Sequence, residues 1–69
     1  MSPSLKKLAA WVEDIGSQTS AARVIGCSVP YLNQILHQKK KPSRRLARDI
    51  YLRTRRWRRG PIEMSGWEG

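Results

Sequence analysis

The sequence has no phenylalanine, one cysteine, one histidine and five acidic residues, and each shortage excludes something. The single Cys27 cannot close an internal disulfide, so the fold must stand without a covalent staple, as suits a reducing, cytoplasmic setting. Cys27 is expected to be a small buried apolar residue. The one histidine, His37, has no second histidine or cysteine to share a metal with, so no metal and no cofactor is expected. The acids Glu13, Asp14, Asp49, Glu63 and Glu68 are scattered, and none stands at a telling distance from His37 or from a nucleophile. An enzyme is therefore not expected. No run of about 18 apolar residues offers a membrane span. The start, "MSPSLKK", has no apolar stretch behind its lysines, so no secretion signal is expected.

Length sets the next bound. A chain of 69 residues makes one small domain, and at that size only about 60% of the unfolded surface is buried. A roomy cavity for a small-molecule substrate does not fit in it.

Positive charge is abundant and unevenly placed. There are 14 Lys and Arg against 5 Asp and Glu, a net of +9. Residues 39–59 hold eleven of the basic residues and only Asp49 against them. A block this dense calls for an anionic partner, and nucleic acid is the commonest one.

Apolar spacing divides the chain into four helices. In "PSLKKLAAWVEDIG", Leu5, Leu8, Ala9, Val12 and Ile15 recur on one helical face. Ser2 caps its start, Pro3 sits in the first turn and Gly16 stops it. A second helix, residues 18–25, has Ser17 as its cap and Ala21, Ala22 and Ile25 inward, with Gly26 as the left-handed stop. Ser28 caps a third, from Val29 to His37, with Pro30 in its first turn and Leu32, Ile35 and Leu36 inward. After the loop "QKKKPS", Ser43 caps a fourth helix, "RRLARDIYLRTRRW", with Leu46, Ala47, Ile50, Tyr51 and Thr54 on one side. The ending "RRGPIEMSGWEG" has two glycine breaks and no period. Its apolar residues Ile62, Met64 and Trp67, with Trp57, exceed what a surface tail needs, and either fold back on the core or bury a dimer interface.

The second and third helices satisfy a set of linked constraints. Ala22 is small where two helix backbones must approach, Gly26 permits the turn, and Leu32 and Ile35 return to meet Ala21 and Ile25. This is the requirement of a helix-turn-helix, which presents its second helix to the DNA major groove. Across residues 18–37, Gln18, Thr19, Ala22, Gly26, Asn33 and His37, with Lys41 beyond them, resemble the helix-turn-helix of lambdoid phage Cro proteins and the wider class of small phage and prophage repressors. The stretch "KKKPSRRLARDI" is similar to that of small YdaS-like regulators. The resemblance covers about residues 5–54. It implies an all-α, compact four-helix lambda-repressor-like domain over residues 1–59; the irregular tail over 60–69 departs from the family, having no strand pair for the β-hairpin ending of some Cro proteins.

The expected contacts follow from helix-turn-helix geometry. Ser28, Val29, Pro30, Tyr31, Asn33 and Gln34 are the candidates for base edges. Gln34 offers a bidentate amide to adenine, with Asn33 as the alternative reader or a backbone contact. Val29 and Pro30 either pack on thymine methyls or only shape the helix entry, and Tyr31 either bonds a phosphate or packs under the loop. Gln18, Thr19, His37, Lys39, Lys40, Lys41, Arg44 and Arg45 are the candidates for phosphates, and Arg55, Arg56, Arg58 and Arg59 form a tail that binds diffusely or is simply solvated. The expected function is a sequence-specific transcriptional repressor of the phage Cro type. It would act in the cytoplasm at the nucleoid, as a homodimer on a pseudo-palindromic double-stranded operator. The alternatives are an antitoxin-like or activating regulator on the same module, or a nonspecific nucleic-acid binder.

Overall fold

The computed structural model of the chain describes residues 2–67; Met1 at the outer end of the expected domain, and Glu68 and Gly69 at the end of the tail, lie outside it. The described residues form four helices and no strand: α1 (Pro3–Ile15), α2 (Gln18–Ile25), α3 (Val29–Leu36) and α4 (Arg44–Thr54). The fold is all-α.

One device starts every helix. Ser2, Ser17, Ser28 and Ser43 are the N-caps, and each side-chain oxygen accepts from the amide three residues on: Leu5, Ser20, Tyr31 and Leu46, at 3.1–3.2 Å. Each bond satisfies one of the unpaired N–H groups of a first turn, worth about 1 kcal/mol per cap. The stops differ. Gly16 and Gly26 end α1 and α2 at φ 113° and 92°, in left-handed conformations that glycine adopts without penalty.

α3 ends without a glycine. It stops at Leu36 rather than at His37, which is the C-cap, and Gln38 takes the left-handed position at φ 62°. The Gln38 amide donates to the Ile35 carbonyl and the Lys39 amide to the Gln34 carbonyl. That pair of bonds is a Schellman ending formed on a residue that disfavours it.

The core joins Leu5, Leu8, Trp11 and Val12 of α1 to Ala21, Ala22 and Ile25 of α2, Leu32 and Ile35 of α3, and Leu46 and Ile50 of α4. Trp11, beside the apolar stripe, is in the core as expected, whereas Ala9 is exposed, Ile15 is 38% exposed and Ser4 is buried. The C-terminal segment lies against the start of α1 and covers Ser4, which places the buried side away from Ala9; Ile15 keeps the azimuth of Leu8 and is exposed because it is the last residue of the helix. Ser4 donates through Oγ to the Glu63 carbonyl at 2.7 Å and through its amide to the Gly66 carbonyl at 3.0 Å. Lys7 Nζ donates to the Pro61 carbonyl at 3.1 Å. A Cβ on Gly66 would collide with Ser4, so the approach is as close as a bare backbone allows.

The same segment corrects the end of α4, which stops at Thr54 rather than near Trp57. Thr54 is fully buried; its hydroxyl donates back to the Ile50 carbonyl at 2.8 Å and accepts from the Ile62 amide at 2.9 Å. Two tight turns follow, closed by Trp57 N–H to Thr54 C=O and Gly60 N–H to Trp57 C=O. They bring Ile62 into the core, with Trp57 and Trp67 packed against it and Met64 left exposed. Cys27 is half-buried rather than buried, packed on the core edge. Among the described residues, no helix is long and apolar enough to cross a membrane.

Candidate nucleic-acid interface

α3 has a buried side and an open side, fixed by its period. Leu32 and Ile35 face the core and Leu36 lies beside them. At 100° per residue, the opposite side carries Pro30 and His37 at its centre with Asn33 and Gln34 on either edge. Pro30, Asn33 and His37 are exposed and Gln34 is half-buried, as that placement requires. Ser28 and Val29 are exposed at the helix start. Five of the six base-contact candidates therefore sit on or beside one solvent face.

Tyr31 is the exception. It lies on the flank of α3, half-buried, and its hydroxyl accepts from the Ser43 amide at 3.2 Å. Its ring also supports Lys40, whose Nζ stands 6.0 Å from the ring centre. Of the two roles open to Tyr31 in the sequence, the structure places it under the loop. It ties the α3–α4 connection to α3 instead of pointing outward.

On the other flank, Asn33 Nδ2 donates to Gln18 Oε1 at 3.3 Å. Gln18 is the first residue of α2, so this bond fixes the start of α2 beside the open face of α3. Thr19, next to it, is exposed. The open face of α3 is thus bracketed on both sides, by Gln18 at one edge and by the Tyr31-supported loop at the other.

The helix starts around this face carry no acid, a property that α1 shares. None of α2, α3 or α4 has an acidic residue in its first turn, where one would ordinarily stabilise the helix dipole. α4 goes further, beginning with Arg44 and Arg45, both exposed. Cations at a helix N-terminus cost about 0.3–1 kcal/mol. Ser28, Tyr31, Ser43, Arg45 and Asp49 line one shallow groove between the starts of α3 and α4, so the groove holds a carboxylate as well as a guanidinium. The Tyr31, Ser43 and Leu46 amides already donate to Ser28 Oγ, the Tyr31 hydroxyl and Ser43 Oγ, so the group this groove offers an anionic oxygen is the exposed Arg45 guanidinium, with Asp49 beside it. Lys39, Lys40 and Lys41 are exposed on the α3–α4 loop, with Lys40 over the Tyr31 ring and Lys40 and Lys41 lining a separate groove with Leu5 and Trp67.

No family model matches the chain, and no curated protein or solved structure does. What the surface can do rests on its own chemistry. Among the described residues, no three His, Cys, Asp or Glu side chains come together in a way that could hold a metal ion. Burial raises the Cys27 thiol above its ordinary value, partly offset by a hydrogen bond with the backbone, so it stays protonated near neutrality and is a weak nucleophile.

A second cationic group was only partly legible. The arginines after α4 are not a loose tail at Arg58 and Arg59. Trp57 Nε1 donates to Asp14 Oδ2 at 2.9 Å, Arg58 lies 3.5 Å from the same oxygen, and Arg59 stands over the Trp57 ring at 5.5 Å. The acid in the last turn of α1 and the indole after α4 lie 43 residues apart, and nothing local in the sequence pairs them.

Proposed function

We propose that this chain is a sequence-specific DNA-binding regulator of the repressor type, with α2, the Gly26 turn and α3 acting as a helix-turn-helix and α3 entering the major groove. The observation that carries the reading is the bracketed open face of α3. It presents exposed Pro30, Asn33 and His37 and half-buried Gln34 between two flanks of amide, hydroxyl and lysine groups, beside three helix starts without acids.

Each group takes a role its position allows. Gln34 reads a base edge, and a bidentate amide–adenine pair supplies about 1–3 kcal/mol of discrimination. Asn33 and Gln18 act as a pair, with the α2 start on a phosphate and Asn33 on the base or sugar beside it. Val29 and Pro30 present apolar surface to the groove. Lys39, Lys40, Lys41, Arg44 and Arg45 hold the backbone on the opposite flank, with Tyr31 positioning their loop. His37 shares the centre of the open face with Pro30 at the far end of the helix, which favours a groove contact over the phosphate contact expected from sequence.

Size bears on stoichiometry. The domain measures 26 × 25 × 20 Å, while half-sites are spaced by about 34–36 Å. One copy covers one half-site, and two copies on a pseudo-palindrome supply the specificity needed to occlude a promoter. Ile62, Trp57 and Trp67 are engaged on the core, which leaves the tail little apolar surface for pairing. Dimerisation is accordingly assigned to the DNA-bound state, and the place of action to the compartment that holds the DNA. Selection of bound duplexes from random DNA tests the reading: a short, symmetric motif supports it, and an enriched pool without a motif refutes sequence-specific recognition.

A further inference from the structure

The cluster of Asp14, Trp57, Arg58 and Arg59 stands outside the surface described so far, and its construction is unusual. An acid in the last turn of a helix opposes the dipole there, yet Asp14 is kept, and both of its near neighbours come from the segment after α4. Arg58 remains 79% exposed while its partner is 37% exposed, so the ion pair is at the surface and contributes little stability by itself. What the arrangement does accomplish is placement. It brings Arg58 to Asp14 and Arg59 over the Trp57 ring, so that two guanidinium groups of an otherwise irregular segment gather near the end of α1.

That place lies close to the α2 flank of the open face. Asp14 precedes Gln18 by four residues, so their backbones are separated by no more than about 15 Å even if fully extended. B-DNA presents a phosphate on each strand about every 3.4 Å along its axis, so this distance corresponds to at most about four base pairs. Resting on the DNA-binding reading above, we propose that Arg58 and Arg59 form a second phosphate grip on the same duplex, outside the phosphate held at Gln18, and that Asp14 and Trp57 are its positioning residues. One copy would then clamp the backbone on both flanks of α3, with the lysine loop on one side and the clasped arginines on the other. Holding the arginines in place beforehand reduces the ordering cost of the contact.

The test compares two duplexes carrying the site enriched by selection, one with long flanks and one trimmed at the edge of the motif. With the long duplex, Arg58→Gln with Arg59→Gln should reduce the slope of log affinity against log salt by about 1.8, two contacts at about 0.9 each. That makes the loss of affinity between 50 and 200 mM salt on the order of tenfold smaller than for the unaltered chain. On the trimmed duplex the same variant should match the unaltered chain. Arg55→Gln with Arg56→Gln, which alters the charge equally but not the clasp, should show no such dependence on the flanks. Asp14→Ala separates placement from charge: it raises the net charge, so charge alone predicts tighter binding, whereas loss of the clasp predicts weaker binding on the long duplex. An equal slope change on both duplexes, no change on either, or tighter binding by Asp14→Ala overturns the grip. If Lys40→Ala still lowers the slope in that case, DNA binding itself stands; if the unaltered chain shows no salt-dependent binding, the failure lies with the functional reading.

Discussion

Asn33, in the middle of α3, donates its side-chain amide to Gln18, the first residue of α2, so the two helices of the candidate DNA-reading unit are joined at their exposed edge as well as in the core. The bond is exposed and long at 3.3 Å, so it adds little to folding; a net hydrogen bond of this kind is worth at most about 1 kcal/mol. Its consequence is for binding. Gln18→Ala and Asn33→Ala should each weaken DNA binding with little effect on the urea midpoint. In a double-mutant cycle the pair should be non-additive by about 0.5 kcal/mol or more, since both act on one network. Strict additivity would separate the two residues.

Tyr31 presents the same logic on the opposite flank. Tyr31→Phe removes the acceptor of the Ser43 amide and leaves the ring under Lys40. It should lower stability by about 0.5–1.5 kcal/mol. It should also weaken binding to all sequences alike, because the loop is loosened while the reading face is untouched. A changed base preference, measured by competition among site variants, would instead put the hydroxyl on DNA.

Thr54 carries the attachment of the C-terminal segment. Thr54→Val keeps the shape but leaves the buried Ile62 amide without its acceptor. The expected loss is about 1–3 kcal/mol, read as a lower urea midpoint. Thr54→Ser, which restores the hydroxyl, should recover most of it. Gly66→Ala should act in the same direction by forcing the segment away from Ser4. If Thr54→Val is as stable as the unaltered chain, the segment is not held through that hydroxyl.

Gln38 offers a gain. A non-glycine residue in the left-handed region costs about 1–2 kcal/mol, against about 0.5–1 kcal/mol for the added chain entropy of glycine. Gln38→Gly should therefore raise stability by about 0.5–1 kcal/mol, detectable by thermal melting. A drop would mean that the Gln38 side chain makes a contact worth more than the backbone strain.

These residues also mark where the sequence was legible. The four serine caps, the glycine stops at Gly16 and Gly26 and the inner positions of α2 and α3 follow from local rules, because cap chemistry and a 3.6-residue period act within one helix. On α1 the exposure of Ala9 depends on the segment that covers Ser4, which lies 59 residues away in the chain, and Ile15 is on the inner line but ends the helix beyond the core. The end of α4 is likewise not local: the arginines after Thr54 are good helix formers and carry no stop signal, and the tight turns that follow go with the return of Ile62 to the Thr54 hydroxyl. On the candidate interface, exposure of Pro30, Asn33 and His37 was readable from the period, whereas the partners of Gln18, Tyr31 and Asp14 depend on tertiary approach. The left-handed Gln38 gave no signal, since the residue that usually announces such a turn is missing.

The claim that α3 reads DNA through its open face is tested most directly by selecting duplexes from random DNA with the unaltered chain, Gln34→Ala and Lys40→Ala in parallel. The unaltered chain should return a short motif. Gln34→Ala should return the same motif with preference lost at one base pair of each half-site, and Lys40→Ala the whole motif at lower yield and with weaker salt dependence. An unchanged motif from Gln34→Ala, or no motif from the unaltered chain, would contradict the account.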